Sequence, residues 1–455
     1  MLTEEFKGVR LGDERLNQRC QKVAKTIGRH PDKSIPQACV DWSDTKGAYR
    51  FFSNEEVSRQ AILQPHIERT VKRCHPVEVL AIQDTTYLNF THHPSVRGLG
   101  PIGTVAGTAE GLSGLIVHST LAVNADKGQV IGLLHQEVWV RKGHAPKEET
   151  DRQRRKRKRE SQCWTRGVQV LHRQGLGHAI HMTDREGDIY ELMESLDRNN
   201  QRFIIRASKN RRLDQEKTDY AFDAVRKTPA IGKMAVSVKA GPGRKARVAL
   251  LTLRRVEAAI CPPATLGRPG FPISVSLVEA FEEHAPKGCS SLHWVLLTRE
   301  PVKTPEDCVH VVTLYTYRWK IEEFHMAIKT GCAMEDRQLE TRQRLEAFLG
   351  MASVIAIVLL RLRDAARSEA MASEHLSDIQ ILLLKSKFHD LTITPTAREA
   401  LRSIARLGGF IGRKRDGDPG WRTLWRGMEE LLHMEEGYDL VRNSPELLRR
   451  LQVYG

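Results

Sequence analysis

Three acidic side chains, far apart in the chain, fall where a sheet and a helix would present them together. Asp84 closes the apolar run VEVLAIQD (77–84), Asp184 follows the run HAIHMT (178–183), and Glu322 lies within YTYRWKIEEFHMAIKTG (315–331). Each aspartate has an ordinary reading: Asp84 as a turn residue after a strand, Asp184 as a helix N-cap. Jointly those readings weaken, because both residues terminate predicted neighbouring strands, and strand ends are where α/β sheets place their sites. A glutamate on a helix packed beside that sheet adds a third oxygen donor. Oxygen-only donors select hard ions, Mg²⁺ or Mn²⁺. Two such ions roughly 4 Å apart suit phosphoryl transfer, activating a water or a 3′-hydroxyl and steadying the departing oxygen.

The helix 315–331 carries its own evidence. With Glu322 at 0° on a wheel of about 100° per residue, Tyr315 falls near +20°, Lys329 near −20°, Arg318 near −40° and His325 near −60°. Ile321, Phe324 and Ile328 lie off this arc and are packing candidates. Glu323 is a quarter-turn away from Glu322, so the adjacent glutamates have separate tasks. A stripe of this kind is usually a solvated face with i,i+4 pairs such as Arg318–Glu322. It is also the mixture that phosphoryl transfer requires: a carboxylate for metal and cations for phosphates.

The elements that must position these groups follow from the pattern. Residues 1–70 read as helical and charged. VEVLAIQD, LIVHSTLAV (115–123) and QVIGLLHQEVWV (129–140) read as strands, the last pair joined by the turn NADKG (124–128) as an antiparallel hairpin. A helix to about 174, the strand HAIHMT, the helix IYELMESLDR and the strand RFIIRA (202–207) complete a mixed sheet in the order of an RNase H-like α/β core, an order that other mixed sheets share. Residues 208–303 read as a β-rich insertion, with strands in RKARVALLTLRRVEAA, FPISVSLVEAF and SLHWVLLTRE separated by Gly/Pro-rich turns. Thr304 and Pro305 form a cap and first helical position, after which helical pattern runs to the C-terminus. The predicted domains are a helical region 1–70, an α/β region 71–330 with its β-rich insertion, and a helical region 331–455.

The chain has 455 residues and a net charge of +15, from 71 Lys+Arg against 56 Asp+Glu. That surplus implies a polyanionic partner, nucleic acid first and an anionic membrane surface second. The run RQRRKRKRE (152–160) is the extreme case. It is either a solvated helix start or a phosphate-contacting arm, with Arg154, Arg155, Lys156, Arg157 and Lys158 as candidates. The eight cysteines form no CxxC pair, which disfavours a zinc finger and suits a reducing cytosol. No apolar leader stands at the N-terminus, and AFLGMASVIAIVLL (347–360) reads as a buried helix, too short for a bilayer. The chain therefore reads as cytoplasmic, with no membrane partner. No GxxxxGK[ST] occurs, so no nucleotide cofactor is implied.

Tyr315-x2-Arg318-x3-Glu322-x6-Lys329 resembles the YREK motif of bacterial insertion-sequence DDE transposases. QDTT (83–86) is similar to their first-aspartate motif and DREGDIY (184–190) to their second. LGDERL (11–16), GAYRFF (47–52), GLLHQEVW (132–139) and WVLLTREPV (294–302) extend the likeness over nearly the whole chain. The resemblance implies an RNase H-like fold in which Asp84, Asp184 and Glu322 bind the metal ions, while Tyr315, Arg318 and Lys329 grip DNA near the cleaved phosphate. It implies that Trp294 and Trp319 manage a flipped base, as a hairpin route requires. Ordinary β-core and packing roles are their plain alternatives. Arg50, Arg185, Arg206 and Lys209 are further phosphate-contact candidates, each equally readable as surface charge. The implied activity is hydrolysis at transposon inverted-repeat ends and strand transfer into target DNA by a homodimer. The rivals are a nuclease of the same fold that cuts without joining, and a DNA-binding regulator without catalysis.

Overall fold

The computed structural model describes residues 2–39, 41–108, 110–141, 160–213, 219–238, 246–367, 369–413, 416–444, 446 and 449. Helices α1 (Leu2–Phe6), α2 (Glu14–Arg29), α3 (Ile35–Ala38), α4 (Trp42–Phe52) and α5 (Arg59–Cys74) come first. Their starts are encoded locally: the side chains of Asp13, Asp41 and Ser58 accept hydrogen bonds from free N–H groups of the first turns of α2, α4 and α5.

A ten-stranded sheet follows, in the order β2-β3-β1-β5-β6-β10-β9-β8-β7, with β4 paired to β3. Its first part comprises β1 (Val79–Asn89), β2 (Gly100–Thr104), β3 (Gly111–Asn124) and β4 (Val130–Trp139). The NADKG turn joins β3 to β4 antiparallel, with Gly128 at φ +61° where a side chain would be strained. Strands β5 (Ile180–Thr183) and β6 (Phe203–Arg206) run parallel to β1 and to each other, connected through helices α6 (Gln162–Arg173) and α7 (Tyr190–Arg198). The predicted β-rich segment supplies helix α8 (Ala221–Arg226) and strands β7 (Gly232–Val238), β8 (Arg247–Ile260), β9 (Ile273–Phe281) and β10 (His293–Thr298). Sequence pattern marked three of these strands; GKMAVSV, which forms β7, is half exposed and too polar to have stood out. These strands do not stand apart from the core: β10 pairs antiparallel with β6, Leu296 opposite Arg206, so they prolong the same sheet.

Strand alternation distributes the core between two faces. Leu80, Ile82, Ile180, Met182, Ile204 and Leu296 face one cluster, which includes Phe51, Phe52, Ile62 and Phe348 from the helices. On the other face Phe203, Ile205, Val295 and Leu297 pack with Trp164, Val168, Tyr190 and Leu196 of α6 and α7. Helix α9 (Pro305–Thr316) begins at a capping box, Thr304 with Asp307, and Pro305 takes its first position. After α10 (Trp319–Met326) come α11 (Arg342–Ala365), α12 (Asp378–Lys387), α13 (Ala397–Leu407) and α14 (Trp421–Arg442). The apolar run 347–360 belongs to α11. At 24 residues this helix is long and apolar enough to cross a bilayer, contrary to the sequence reading, yet 89% of its apolar window is buried inside the protein.

Candidate active site

Asp84 is not at a strand end. Strand β1 continues to Asn89, so Asp84 sits in mid-strand opposite Ser119 of β3. Its parity is that of Leu80 and Ile82, so its side chain points to the face on which Ile321 and Phe324 of α10 are buried. That shared face is why Glu322 can approach it. The peptide N–H of Thr85 donates to Asp84 Oδ1 at 2.8 Å. Behind the strand, Thr85 Oγ1 meets His118 Nδ1 at 2.9 Å, and His118 Nε2 meets Gln83 Oε1 at 3.1 Å. This buried network fixes the backbone that carries Asp84.

Asp184 does stand at the end of β5, and it also caps: its Oδ1 accepts the Glu186 N–H at 2.8 Å. The strand-end position and the capping bond, on the 3-10 turn Arg185–Gly187, therefore coexist. Glu322 Oε1 accepts from Arg318 Nη1 and Nη2, each at 3.2 Å. The structure brings the three carboxylates into one electrostatic group. Burial, and then repulsion by Asp184 and Glu322, raise the Asp84 carboxyl from 3.8 to about 7; the Thr85 N–H and Arg318 act in the opposite direction. A group of carboxylates that raises its own proton affinity fits an oxygen-bound divalent cation, which would relieve the repulsion.

The helix that delivers Glu322 is not one continuous α-helix. Hydrogen bonds from Arg318 N to Tyr315 O and from Ile321 N to Arg318 O tighten the junction between α9 and α10, and residues Ala327–Gly331 widen into a π-turn. The run is therefore not one regular wheel, although Tyr315 still shares a cleft with Arg318. Tyr315 belongs to α9, and Lys329 turns toward Glu335, 4.0 Å away. Within α10 the wheel holds. Glu323 faces away and pairs with Arg363 at 2.6 Å. His325 comes within 3.9 Å of Asp84 and, deeply buried, has its proton affinity lowered to about 3, so it is neutral.

Beside the acids lies a cleft of about 360 Å³ lined by Arg185, Arg206, Trp294, Tyr315, Arg318 and Trp319. All six were nominated from sequence as DNA contacts, and they come from four separate segments. Trp294 on β10 and Arg206 on β6 have the parity of Leu296 and Ile204, so they face the same side of the sheet as Asp84. Trp294 and Tyr315 pack edge to face, ring centroids 5.4 Å apart. The Arg318 guanidinium lies 5.6 Å from the half-exposed Trp319 ring. Arg206 Nη2 donates to the His293 carbonyl at 3.0 Å.

Lys329, paired with Glu335, is not among the cleft residues, and two other nominated residues lie elsewhere. Arg50 is exposed on α4, and the exposed Lys209 donates its backbone N–H to Asp188 at 2.9 Å; neither lines the cleft. Arg154, Arg155, Lys156, Arg157 and Lys158 lie outside the described residues. Sequence reasoning passed over Glu186, whose carboxyl is raised by burial and by Asp184 and Glu322; its position two residues after Asp184 was the available signal. It also gave no role to His325, although the wheel set that residue at the edge of the polar arc.

The family model described as Transposase DDE domain matches residues 165–359. The chain belongs to the DDE transposases. The Transposase DNA-binding family matches residues 1–57, and the Transposase Tn5 dimerisation domain matches 380–447. DDE domains work with divalent metal ions. Among solved structures, the cryo-EM piggyBac transposase synaptic complex with hairpin DNA aligns with a TM-score of 0.33 and 11% identity over 68% of this chain. The match spans about half of that chain, 52%.

Proposed function

We propose that this DDE transposase excises and inserts a DNA element by a cut-and-paste route. The observation that supports the reading best is the electrostatic coupling of Asp84 to Asp184 and Glu322, beside a cleft of arginines and aromatic rings. The three carboxylates would hold a pair of Mg²⁺ or Mn²⁺ ions, which when bound supply a nucleophilic oxygen at neutral pH and charge neutralisation at the phosphate. The remaining work falls to the protein's own side chains. Arg318, poised between Glu322 and the cleft, holds a phosphate against the acids, with Tyr315 and Lys329 flanking it. Trp294 and Trp319 receive an unstacked base, and Arg185 and Arg206 bind the backbone around it.

In the first step a water oxygen attacks phosphorus, the P–O3′ bond breaks, and the departing oxygen takes a proton to become a 3′-hydroxyl. That hydroxyl then attacks the opposite strand to close a hairpin, displacing the flanking DNA. A second water reopens the hairpin, and the same 3′-hydroxyl attacks target DNA. The helical region 1–70 reads the inverted-repeat ends, the segment 152–160 adds phosphate contacts, and the C-terminal helices pair two copies in a synaptic complex. The setting is the bacterial cytoplasm.

Incubation with labelled element ends and Mg²⁺, followed by a denaturing gel, tests this. Nicked, hairpin and joined products are expected. Cleavage without joining of a pre-cut end would replace the proposal by a nuclease, and end-binding without any cleavage by a regulator.

A further inference from the structure

The last residue of the α2 region and the C-terminal helix α14 meet through donor groups quite unlike those of the active site. Glu429 and His433 are one turn apart on α14, a spacing that places both on one face. His30, which caps the C-terminus of α2, comes opposite them. A nitrogen of each imidazole and a Glu429 oxygen all lie within 4.8 Å of one another. The His30 and His433 rings are 6.1 Å apart, and His30 Nδ1 bonds the Glu429 carboxylate.

We propose that His30, Glu429 and His433 form a Zn²⁺ site that staples α2 to α14. Two imidazoles and one carboxylate suit zinc and its neighbours in the first transition row, whereas Mg²⁺ prefers oxygen alone. Three protein ligands leave a fourth, tetrahedral position for water. Donors on a tetrahedral Zn²⁺ stand about 3.4 Å apart, so the side chains draw inward slightly on binding. The cations of α2 do not compete for Glu429. Arg29 and Lys25 both pair with Glu436, two turns further along α14. The ion would tie the segment matched as DNA-binding (1–57) to the segment matched as dimerisation domain (380–447). The plain alternative is a His30–Glu429 ion pair with His433 as a bystander.

The full-length protein distinguishes these. In excess Mg²⁺, which occupies the oxygen-only carboxylates, calorimetric titration with Zn²⁺ is expected to show one bound equivalent. That equivalent is lost in His433→Ala, whose side chain is exposed, and in His30→Ala, but retained in Glu322→Ala. Co²⁺ in place of Zn²⁺ should give the visible absorption of a four-coordinate nitrogen-ligated ion in the wild type and not in His433→Ala. Zn²⁺ should raise the unfolding midpoint of the wild type and of Glu322→Ala, and of neither histidine variant. Equal Zn²⁺ stoichiometry in wild type and His433→Ala, or a Co²⁺ spectrum that neither histidine variant alters, would overturn the proposal.

Discussion

Replacing Asp84 by Asn should stabilise the metal-free protein while destroying its activity. Asp84 is 7% exposed, and its carboxyl is raised from 3.8 to about 7. At roughly 1.4 kcal/mol per pH unit, the gap of about three units corresponds to on the order of 4 kcal/mol of unfavourable charge. A carboxyl whose folded-state value lies above its unfolded value stabilises the fold only when protonated. Below pH 3.8 both states hold the proton and nothing is lost; between 3.8 and 7 stability falls as pH rises; above 7 the full cost applies. Asn keeps the oxygen that accepts the Thr85 N–H and removes the charge. The expected gain for Asp84→Asn at pH 8 in a chelator therefore has a ceiling of about 4 kcal/mol, shrinking to roughly 1.5 kcal/mol at pH 5. Mn²⁺ should reverse the order, since it stabilises the wild type by relieving the repulsion and finds one ligand fewer in the variant. The assay is a denaturant midpoint at pH 5 and pH 8, with chelator or with Mn²⁺. An Asp84→Asn protein less stable than wild type at pH 8, or equally advantaged at both pH values, would refute the electrostatic account.

The adjacent glutamates should separate cleanly. Glu322→Gln is expected to abolish DNA cleavage at a stability cost below about 1 kcal/mol, because its ion pair with Arg318 is partly exposed. Glu323→Gln weakens the buried Arg363 pair and should cost roughly 1–3 kcal/mol in denaturation while leaving cleavage intact. Trp294→Ala removes an edge-to-face partner of Tyr315 worth about 1 kcal/mol. A denaturing gel should show nicking retained and hairpin lost. In Gly427→Ala the new methyl carbon would lie 1.6 Å from the Ile404 carbonyl oxygen, forcing α13 and α14 apart. A loss of about 1–3 kcal/mol is expected by thermal unfolding, and an unchanged midpoint would contradict this packing.

The site was more legible than the scaffold around it. The cleft residues Tyr315, Arg318, Trp294 and Trp319 were named from the resemblance and Arg185 and Arg206 as cations equally readable as surface charge, and one cleft gathers all six. What misled was local geometry. The polar stretch after Gln83 hid five more strand residues, because Asp84, Thr85 and Thr86 look like turn chemistry when their partners on β3 are out of sight. The run 315–331 has no proline or internal glycine, so nothing in it marks the tightened junction at Arg318 or the π-turn after Met326. Both distortions come from tertiary packing, which periodicity cannot carry. The pairing of β10 with β6 joins residues about ninety positions apart and has no local signature either.

That pairing has a consequence for the protein's birth on the ribosome. Until residues 293–298 emerge, β6 has no neighbour on one side, and a buried apolar strand sits at a raw border of the half-built sheet. Such a border recruits whatever strand reaches it first. Nascent chains halted between residues 206 and 293 are therefore the species most prone to clump, and slowing initiation, which spaces them apart, is the remedy this topology prescribes.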